Sequence, residues 1–436
     1  MKTVNVGLIG FGTVGKGVVK TLLQKKKVLR ERTGVSINLV RVVDKDLRAR
    51  KGVPVNRKLL SRDIDSVVKN KSIDIVVELI GGMHPAKEII LRSLTLGKHV
   101  VTANKALLAE HGREIFTAAS RFGSHLGFEA SVGGGIPVIN PLRRTLIANN
   151  IERIYGILNG TSNFILSKMS NEGLSFREAL RIAQSKGIAE KNPNLDINGA
   201  DSAHKLVILA LLGFGKAVNL KEIYTEGITA IEPQDLEHAG KWGYTAKLLG
   251  IAKKAGRELD IRVHPTLISS NSVLASVKYE DNAILIKGDM VGEALFYGKG
   301  AGTFPTASSV ISDIVDIAKD LGMHAEGNLK KGRVFSRVEF GSGIGKVRRI
   351  NDLSSRSYLR FSAIDRPGVL AGISGILSQN KISIATVIQK ERKKGQPVPI
   401  VMLTHDANEG RMKKALARID GLPFITRKTV RLRIEQ

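Results

Sequence analysis

A short apolar run, Val4, Val6, Leu8 and Ile9, stops at Gly10-Phe-Gly12-Thr-Val-Gly15. Apolar residues then resume at helical spacing through Val14, Val18, Leu22 and Leu29. A strand feeding a glycine turn that opens a helix commits the segment to a parallel βα unit, because the helix must pack back on the strand it follows. The three glycines let the backbone turn tightly and approach a pyrophosphate at the helix N-terminus. The pattern repeats downstream. Residues 37–43 read as a strand ending at Asp44, 73–77 as a strand ending at Gly81-Gly82, 85–96 as a helix and His99–Thr102 as a further strand. Strands alternating with helices through residue 130 predict an α/β fold with a doubly wound parallel sheet. Asp44 is placed for a ribose 2′-hydroxyl, while Lys45 and Arg48 beside it suit a 2′-phosphate. At this level the choice between NAD and NADP stays open.

From about 150 to 300 the pattern changes. Helical stretches at 176–185, 201–212 and 242–255, with strand-like runs near 262–268 and 283–287, predict an α+β layer. A Gly-rich loop at 298–309 enters a helix at 310–321, and a polar, basic stretch near 325–355 reads as a linker. The C-terminal part reads as a separate unit. A strand at 358–364 and the turn Asp365-Arg-Pro367-Gly lead into a helix with Val369, Leu370, Ile373, Ile376 and Leu377 on its apolar face. Asn380 closes that helix. Strands at 382–390 and 398–404, a helix at 409–419 and a strand at 427–434 complete a βαββαβ order.

At 436 residues the chain is too long for one core. The absence of Cys excludes disulfides, thiolate chemistry and zinc–thiolate sites. Nothing at the start has the form of a signal peptide, and no stretch approaches the roughly 18–20 apolar residues a spanning helix needs. A cytoplasmic protein with no membrane partner is the expectation. The net charge of +28 raises the question of nucleic acid. Yet the bases form short scattered clusters (25–27, Arg143-Arg144, Lys330-Lys331, 392–394), and the aromatic 5% is not interleaved with them, so no stacking platform is visible. Nucleic acid is therefore not the expected partner; steering of anionic ligands is a simpler use of the charge.

Chemistry concentrates in residues 187–205. Turn formers Gly187, Asn192, Pro193 and Asn194 surround Glu190 and Asp196, and a helix follows in which Asp201 and Lys205 stand four apart on one face. A loop carboxylate can hold a cationic group, and an acid steadies an amine at the mouth of a buried helix. Lys105 ends the run Val100-Val-Thr-Ala-Asn-Lys105 at the sheet edge where dinucleotides lie. A non-catalytic nucleotide sensor would share the turn and the C-terminal unit, but it has no use for paired lysines.

The chain resembles the homoserine dehydrogenase family over nearly its whole length. The motifs are Gly-Phe-Gly-Thr-Val-Gly at 10–15, Thr-Ala-Asn-Lys at 102–105, Phe-Glu-Ala-Ser-Val-Gly-Gly-Gly-Ile-Pro at 128–137 and Gly-Ile-Leu-Asn-Gly-Thr-Ser-Asn-Phe-Ile at 156–165. The 187–205 stretch and Tyr-Gly-Lys-Gly-Ala-Gly-Thr-Phe-Pro-Thr-Ala at 297–307 follow in the same order. The C-terminal unit is similar to an ACT domain. No aspartate-kinase segment precedes residue 1, so the resemblance is to the monofunctional form. It implies a Rossmann-type domain at 1–130 on which 301–325 packs back, and a substrate and dimerisation domain at 131–300. A linker at 326–355 and an ACT regulatory domain at 356–436 complete that division.

The implied activity is NAD- or NADP-dependent, reversible reduction of L-aspartate 4-semialdehyde to L-homoserine, on the route to threonine, methionine and isoleucine. The catalytic residues would be Lys205, donating the proton, Lys105, positioning the carbonyl, and Asp201, which with Glu190 and Asp196 would also bind the substrate. Gly10, Phe11, Gly12, Thr13, Val14, Gly15, Asp44, Lys45, Arg48, Lys105, Gly187 and Gly302 would bind the cofactor. Glu129, with the carbonyls of Val132, Gly134 and Ile136, would hold a monovalent cation such as Na+. Asp365, Gly368 and Asn380 would bind an amino-acid effector, threonine being the first candidate, in a homodimer or homotetramer. Two departures stand out: Ile188 where some relatives carry Tyr, and Lys191-Asn192 in place of a commoner acidic pairing.

Overall fold

The computed structural model describes residues 3–47, 52–325, 345–389 and 398–435. They form two compact units, one of residues 1–154, 204–220 and 282–345, the other of 155–203, 221–281 and 346–436.

The first unit is built on a six-stranded parallel sheet. Its spatial order is Leu60–Ser61, Ser36–Val43, Thr3–Ile9, Ile75–Glu78, His99–Thr102 and Leu126–Gly127. The order reverses between Thr3–Ile9 and Ile75–Glu78, and the crevice at such a switch point is where ligands of doubly wound sheets bind. Val4, Val6 and Leu8 point to one face, where Val18, Val19 and Leu22 of the helix Thr13–Gln24 cover them. Ala307, Val310 and Ile314 of the helix Thr303–Ala325 join the same core, so the C-terminal helix of this unit packs on its N-terminal strands. That helix begins seven residues earlier than the sequence suggests, at Thr303. On the other face Ile9, Val43, Val67, Val76 and Ile89 form a second cluster. The basic run after Gln24 is a helix of its own, Lys26–Thr33, with no buried residue.

The second unit corrects the sequence reading twice. The expected helix at 242–255 is a strand, Tyr244–Ala255, paired antiparallel with Glu258–Ser269 along its whole length. A short apolar run such as Ala246–Ala252 cannot be told from a buried helix by periodicity, and here both faces are covered. Nor is the C-terminal βαββαβ element a detached module. Its last strand, Ile425–Ile434, lies between its own Ser354–Ala363 and Glu258–Ser269, pairing parallel with the latter at Thr266–Arg433 and Leu267–Ile434. The sheet then runs on through Val398–Thr404 to Ile384–Gln389.

Buried polar bonds fix this junction. Glu435 accepts from Arg262 Nη2 at 2.9 Å and Tyr155 OH at 3.0 Å, and pairs with Lys253. The Arg360 guanidinium takes both oxygens of Asp235, at 2.6 and 3.0 Å, and Tyr358 OH donates to the same carboxylate at 2.8 Å. Of the expected linker, 326–344 lies outside the described residues. Lys346–Arg348 is tied to Leu259 by backbone bonds of 2.9 and 2.8 Å. The 131–300 stretch is divided between the two units, 131–154, 204–220 and 282–300 falling in the first.

Candidate active site

The glycine turn is shaped by two contacts that only glycine permits. Gly10 has φ +105°, and a Cβ there would lie 2.5 Å from the Leu79 carbonyl; one on Gly15 would lie 2.0 Å from the Gly10 oxygen. Gly12 instead faces open space and is the N-cap of the helix Thr13–Gln24, with no side-chain cap. First-turn N–H groups without a side-chain acceptor, beside open space, suit a diphosphate, and the residues present therefore fit a dinucleotide. Thr13 is exposed beside them and Val14 packs against the core. The Phe11 side chain is fully buried, so Phe11 serves through its backbone. Its N–H is taken by Asp44 Oδ2 at 2.5 Å, while Asp44 Oδ1 accepts from Asp46 N at 2.8 Å. Lys45 is exposed next to this carboxylate. Arg48 lies outside the described residues.

One residue the sequence reading missed organises the next two strand ends. Glu78, fully buried at the end of Ile75–Glu78, accepts from Ile80 N at 2.8 Å, Gly81 N at 3.2 Å and Thr102 Oγ1 at 2.6 Å. Thr102 Oγ1 in turn accepts from Asn104 N at 3.0 Å. The Asn104 side chain caps the helix Lys105–Arg121 through Leu107 N and donates to the Gly82 carbonyl at 2.6 Å. Lys105, half-buried, is the first residue of that helix. Its position is thus held by a chain of bonds starting at Glu78. The available signal was an acid ending an apolar strand, as Asp44 does.

In the second unit Asn159 brings two of the expected carboxylates together. Its Nδ2 donates to Asp196 Oδ1 at 2.7 Å and to Asp201 Oδ2 at 2.9 Å. Asp201 and Lys205 are both buried (6% and 7% exposed) on the helix Ala200–Phe214, which carries the chain from one unit into the other. Glu190 is exposed on the loop before Asp196. That loop is tied down by Thr161 Oγ1 to the Ile188 carbonyl at 3.0 Å and Gln184 Nε2 to the Glu190 carbonyl at 3.2 Å. Gly187 enters it with φ +68°; Gly302, φ +126°, precedes the helix at Thr303.

The Glu129 loop is tied together by backbone bonds to its own carboxylate. The Glu129 carboxylate accepts from three backbone amides, Val138 and Ile139 on Oε1 at 2.7 and 2.8 Å and Asn140 on Oε2 at 2.7 Å. The Gly134 carbonyl accepts from Ser309 Oγ at 2.7 Å, and the buried Val132 and Ile136 flank it. The Glu129 carboxylate and the Gly134 carbonyl thus also serve the fold, each keeping lone-pair capacity beyond these bonds. Among the described residues no cluster of three or more His, Asp or Glu has metal-binding geometry. Asp313 Oδ2 accepts the Glu129 N–H at 2.8 Å; burial, then the nearby Glu129 charge, pushes Asp313 well above the usual carboxylate range.

A further cavity, about 460 Å³, opens at the start of the helix Val369–Gln379, lined by Asp365, Arg366, Gly368, Leu370 and Gln389. Gly368, φ +88°, is its uncapped N-cap residue. Asn380 does not share this cavity within one chain. It closes the other end of the helix, roughly 16 Å away at 1.5 Å per residue, where its Nδ2 donates to the Ile376 carbonyl at 2.8 Å.

Compared with known proteins, residues 10–129 match the family described as homoserine dehydrogenase, NAD binding domain, residues 137–315 that described as homoserine dehydrogenase, and residues 357–424 the ACT domain. A homoserine dehydrogenase of Neisseria gonorrhoeae is 41% identical across 100% of this chain and 99% of its own length. The structure of a homoserine dehydrogenase from Thiobacillus denitrificans is 42% identical, with TM-score 0.91 over 100% of this chain and 99% of that one. A hyperthermophilic archaeal homoserine dehydrogenase in complex with NADPH covers 73% of this chain and 98% of its own, at 28% identity and TM-score 0.63.

Proposed function

Because the chain belongs to the homoserine dehydrogenase family, we propose that its reaction runs on Lys205 as proton donor and Lys105 as the cation that positions the carbonyl. The enzyme is an NAD(P)-dependent oxidoreductase of amino-acid biosynthesis that interconverts L-aspartate 4-semialdehyde and L-homoserine. A reduced nicotinamide, when bound, supplies the hydride. Negative charge then develops on the carbonyl oxygen, and an ammonium fixed in a water-poor site stabilises it and delivers the proton. The observation that carries this reading is Lys205 itself, buried one helical turn from the buried Asp201. Glu190, exposed on its loop, is suited to the substrate ammonium, with Asp196 and Asp201, joined through Asn159, ordering the site.

The open Gly12 and the uncapped helix support dinucleotide binding by the first unit, and Asp44 with Lys45 supports use of both NAD and NADP. A monovalent cation at Glu129, the carbonyls of Val132, Gly134 and Ile136 completing it, rests on family likeness alone, because its carboxylate already caps three amides.

The cavity at Asp365 and Gly368 supports an amino-acid effector such as threonine, whose carboxylate the uncapped helix start would favour. Asn380 would enter that site only from a second subunit. A dimer is supported separately by the strand Gly292–Lys299, last in its sheet, with Leu295 and Tyr297 exposed. No described helix is long and apolar enough to cross a membrane, in keeping with a cytoplasmic enzyme. The deciding assay is NAD(P)H oxidation by aspartate semialdehyde, with and without threonine. It supports the reading if turnover depends on Lys205 and threonine lowers it, and overturns the assignment of Lys205 if Lys205→Ala keeps near-normal turnover.

A further inference from the structure

Asn159 carries more than its place in a helix cap requires. It follows the strand Ile151–Ile157 and is the N-cap of the helix Gly160–Glu172, where its Oδ1 accepts from Ser162 N at 2.8 Å and Ser162 Oγ at 2.9 Å. These two donors fix the orientation of the amide, so its Nδ2 faces the opposite way. There both N–H groups are used, one on Asp196 Oδ1 at 2.7 Å and one on Asp201 Oδ2 at 2.9 Å. Asn159 is 5% exposed and Asp201 6%, so the contact is made with little water to screen it. A capping residue needs only the acceptor. The donor side is a second function, and only an amide can supply it while the acceptor side caps.

We propose that Asn159 is a positioning residue of the dehydrogenase reaction: a neutral double donor that holds the Asp196 and Asp201 carboxylates at a fixed separation, and through Asp201 sets the helix face that presents Lys205. This rests on the assignment of Asp196, Asp201 and Lys205 to the active site. Two carboxylates brought near one point repel, and a cation between them would compete with the substrate's ammonium for both. A neutral donor with two N–H groups joins them without that competition. It also ties the short helix Asn194–Ile197, which carries Asp196, to the helix carrying Asp201. Displacement of a catalytic group by about 1 Å can change rates about 10²-fold.

The test is Asn159→Asp in the full-length enzyme. Aspartate keeps the size and the cap acceptor for Ser162 N but replaces the double donor by a third carboxylate facing Asp196 and Asp201. The expected result is a protein with cofactor affinity within about twofold of the parent and kcat/KM lowered about 10²-fold at pH 8. Activity should recover in part as pH falls, because a protonated carboxyl can donate again; the optimum therefore moves to lower pH. Asn159→Ser, which also caps well but is too short to bridge both acids, should lose kcat/KM without that shift, and it serves as the test if Asn159→Asp does not fold. A kcat/KM within about threefold of the parent in whichever variant folds, or in Asn159→Asp an unmoved pH profile, overturns the proposal. Asp196→Asn and Asp201→Asn separate the two readings. If they too leave turnover intact, the site assignment itself has failed; if they abolish it while the Asn159 variants do not, only the role of Asn159 has.

Discussion

Asp44 Oδ2 accepts the Phe11 N–H at 2.5 Å, so the acid ending the second strand is bonded into the glycine turn that ends the first. The carboxylate therefore shapes the turn itself. Asp44→Ala should weaken NADH and NADPH alike, about tenfold or more, since the turn loses a charge-assisted bond. Lys45→Ala should weaken NADPH more than NADH. Fluorescence titration of both cofactors against both variants checks this; equal losses in Lys45→Ala would leave that lysine as ordinary solvated surface.

Lys205→Ala should lower kcat by on the order of 10²-fold or more while NADPH still binds, the range expected for loss of a positioned proton donor. Steady-state kinetics beside cofactor titration separates loss of chemistry from loss of folding.

Glu78→Ala removes the acceptor of two backbone amides and the Thr102 hydroxyl in a fully buried place. A destabilisation of about 2–4 kcal/mol is expected, because those donors are left without a partner. Urea unfolding measures it. A rise in the cofactor KM of the surviving folded protein would show that the Gly81–Gly82 turn and Lys105 moved together.

Lys247 is buried on Tyr244–Ala255, donating to Asn163 Oδ1 at 3.1 Å and to the Val277 carbonyl, and burial draws its pKa from 10.5 down to about 8. Below pH 8 both the folded and unfolded chains hold the proton, and the folded state bears the whole penalty. Between pH 8 and 10.5 only the unfolded chain keeps it, so this group makes stability rise with pH, by about 3 kcal/mol in all. The unfolding free energy of the parent minus that of Lys247→Met, measured in urea at pH 7.5, 9 and 10.5, should rise accordingly. A constant difference would mean that Lys247 does not titrate in this window.

Truncation after residue 350 removes the strand beside Glu258–Ser269 and uncovers Arg262, Tyr155 and Lys253. The truncated chain should be poorly soluble or unfold at least 10 °C lower, whatever its regulation. Asp365→Ala in the full-length chain is the cleaner probe of the cavity. Threonine inhibition should weaken about tenfold with kcat changed less than twofold, and unchanged inhibition would place the effector elsewhere.

What can be read from the sequence is what acts locally. Gly10, Gly12 and Gly15 mark a turn by their own backbone needs, and the spacing of Asp201 and Lys205 puts both on one helix face without reference to anything else. Asn159 and Glu78 escape such reading because their partners lie 37 and 42 residues away for the first and 24 for the second. The same reason hides the fate of Glu129, whose carboxylate could be spoken for by any donor until Val138, Ile139 and Asn140 are seen to turn their amides inward. Asp365 and Asn380 flank one helix, and its length alone separates them. Tyr244–Ala255 looks helical because burial on both faces erases the alternation that identifies a strand.

The parallel pairing of Thr266 with Arg433 also bears on how the chain is made. Synthesis proceeds from the N-terminus, and domains that close on themselves can fold as they emerge. The first unit gathers all six strands of its parallel sheet within the first 130 residues. The Thr266–Leu267 stretch of Glu258–Ser269, by contrast, stays unpaired on that edge until residues beyond 430 have left the ribosome, Tyr224–Thr225 covering only Arg262–Val263, and an open edge is a template for pairing with other chains. Translation rate and chaperone supply should therefore limit the yield of this enzyme through its middle, which is finished last.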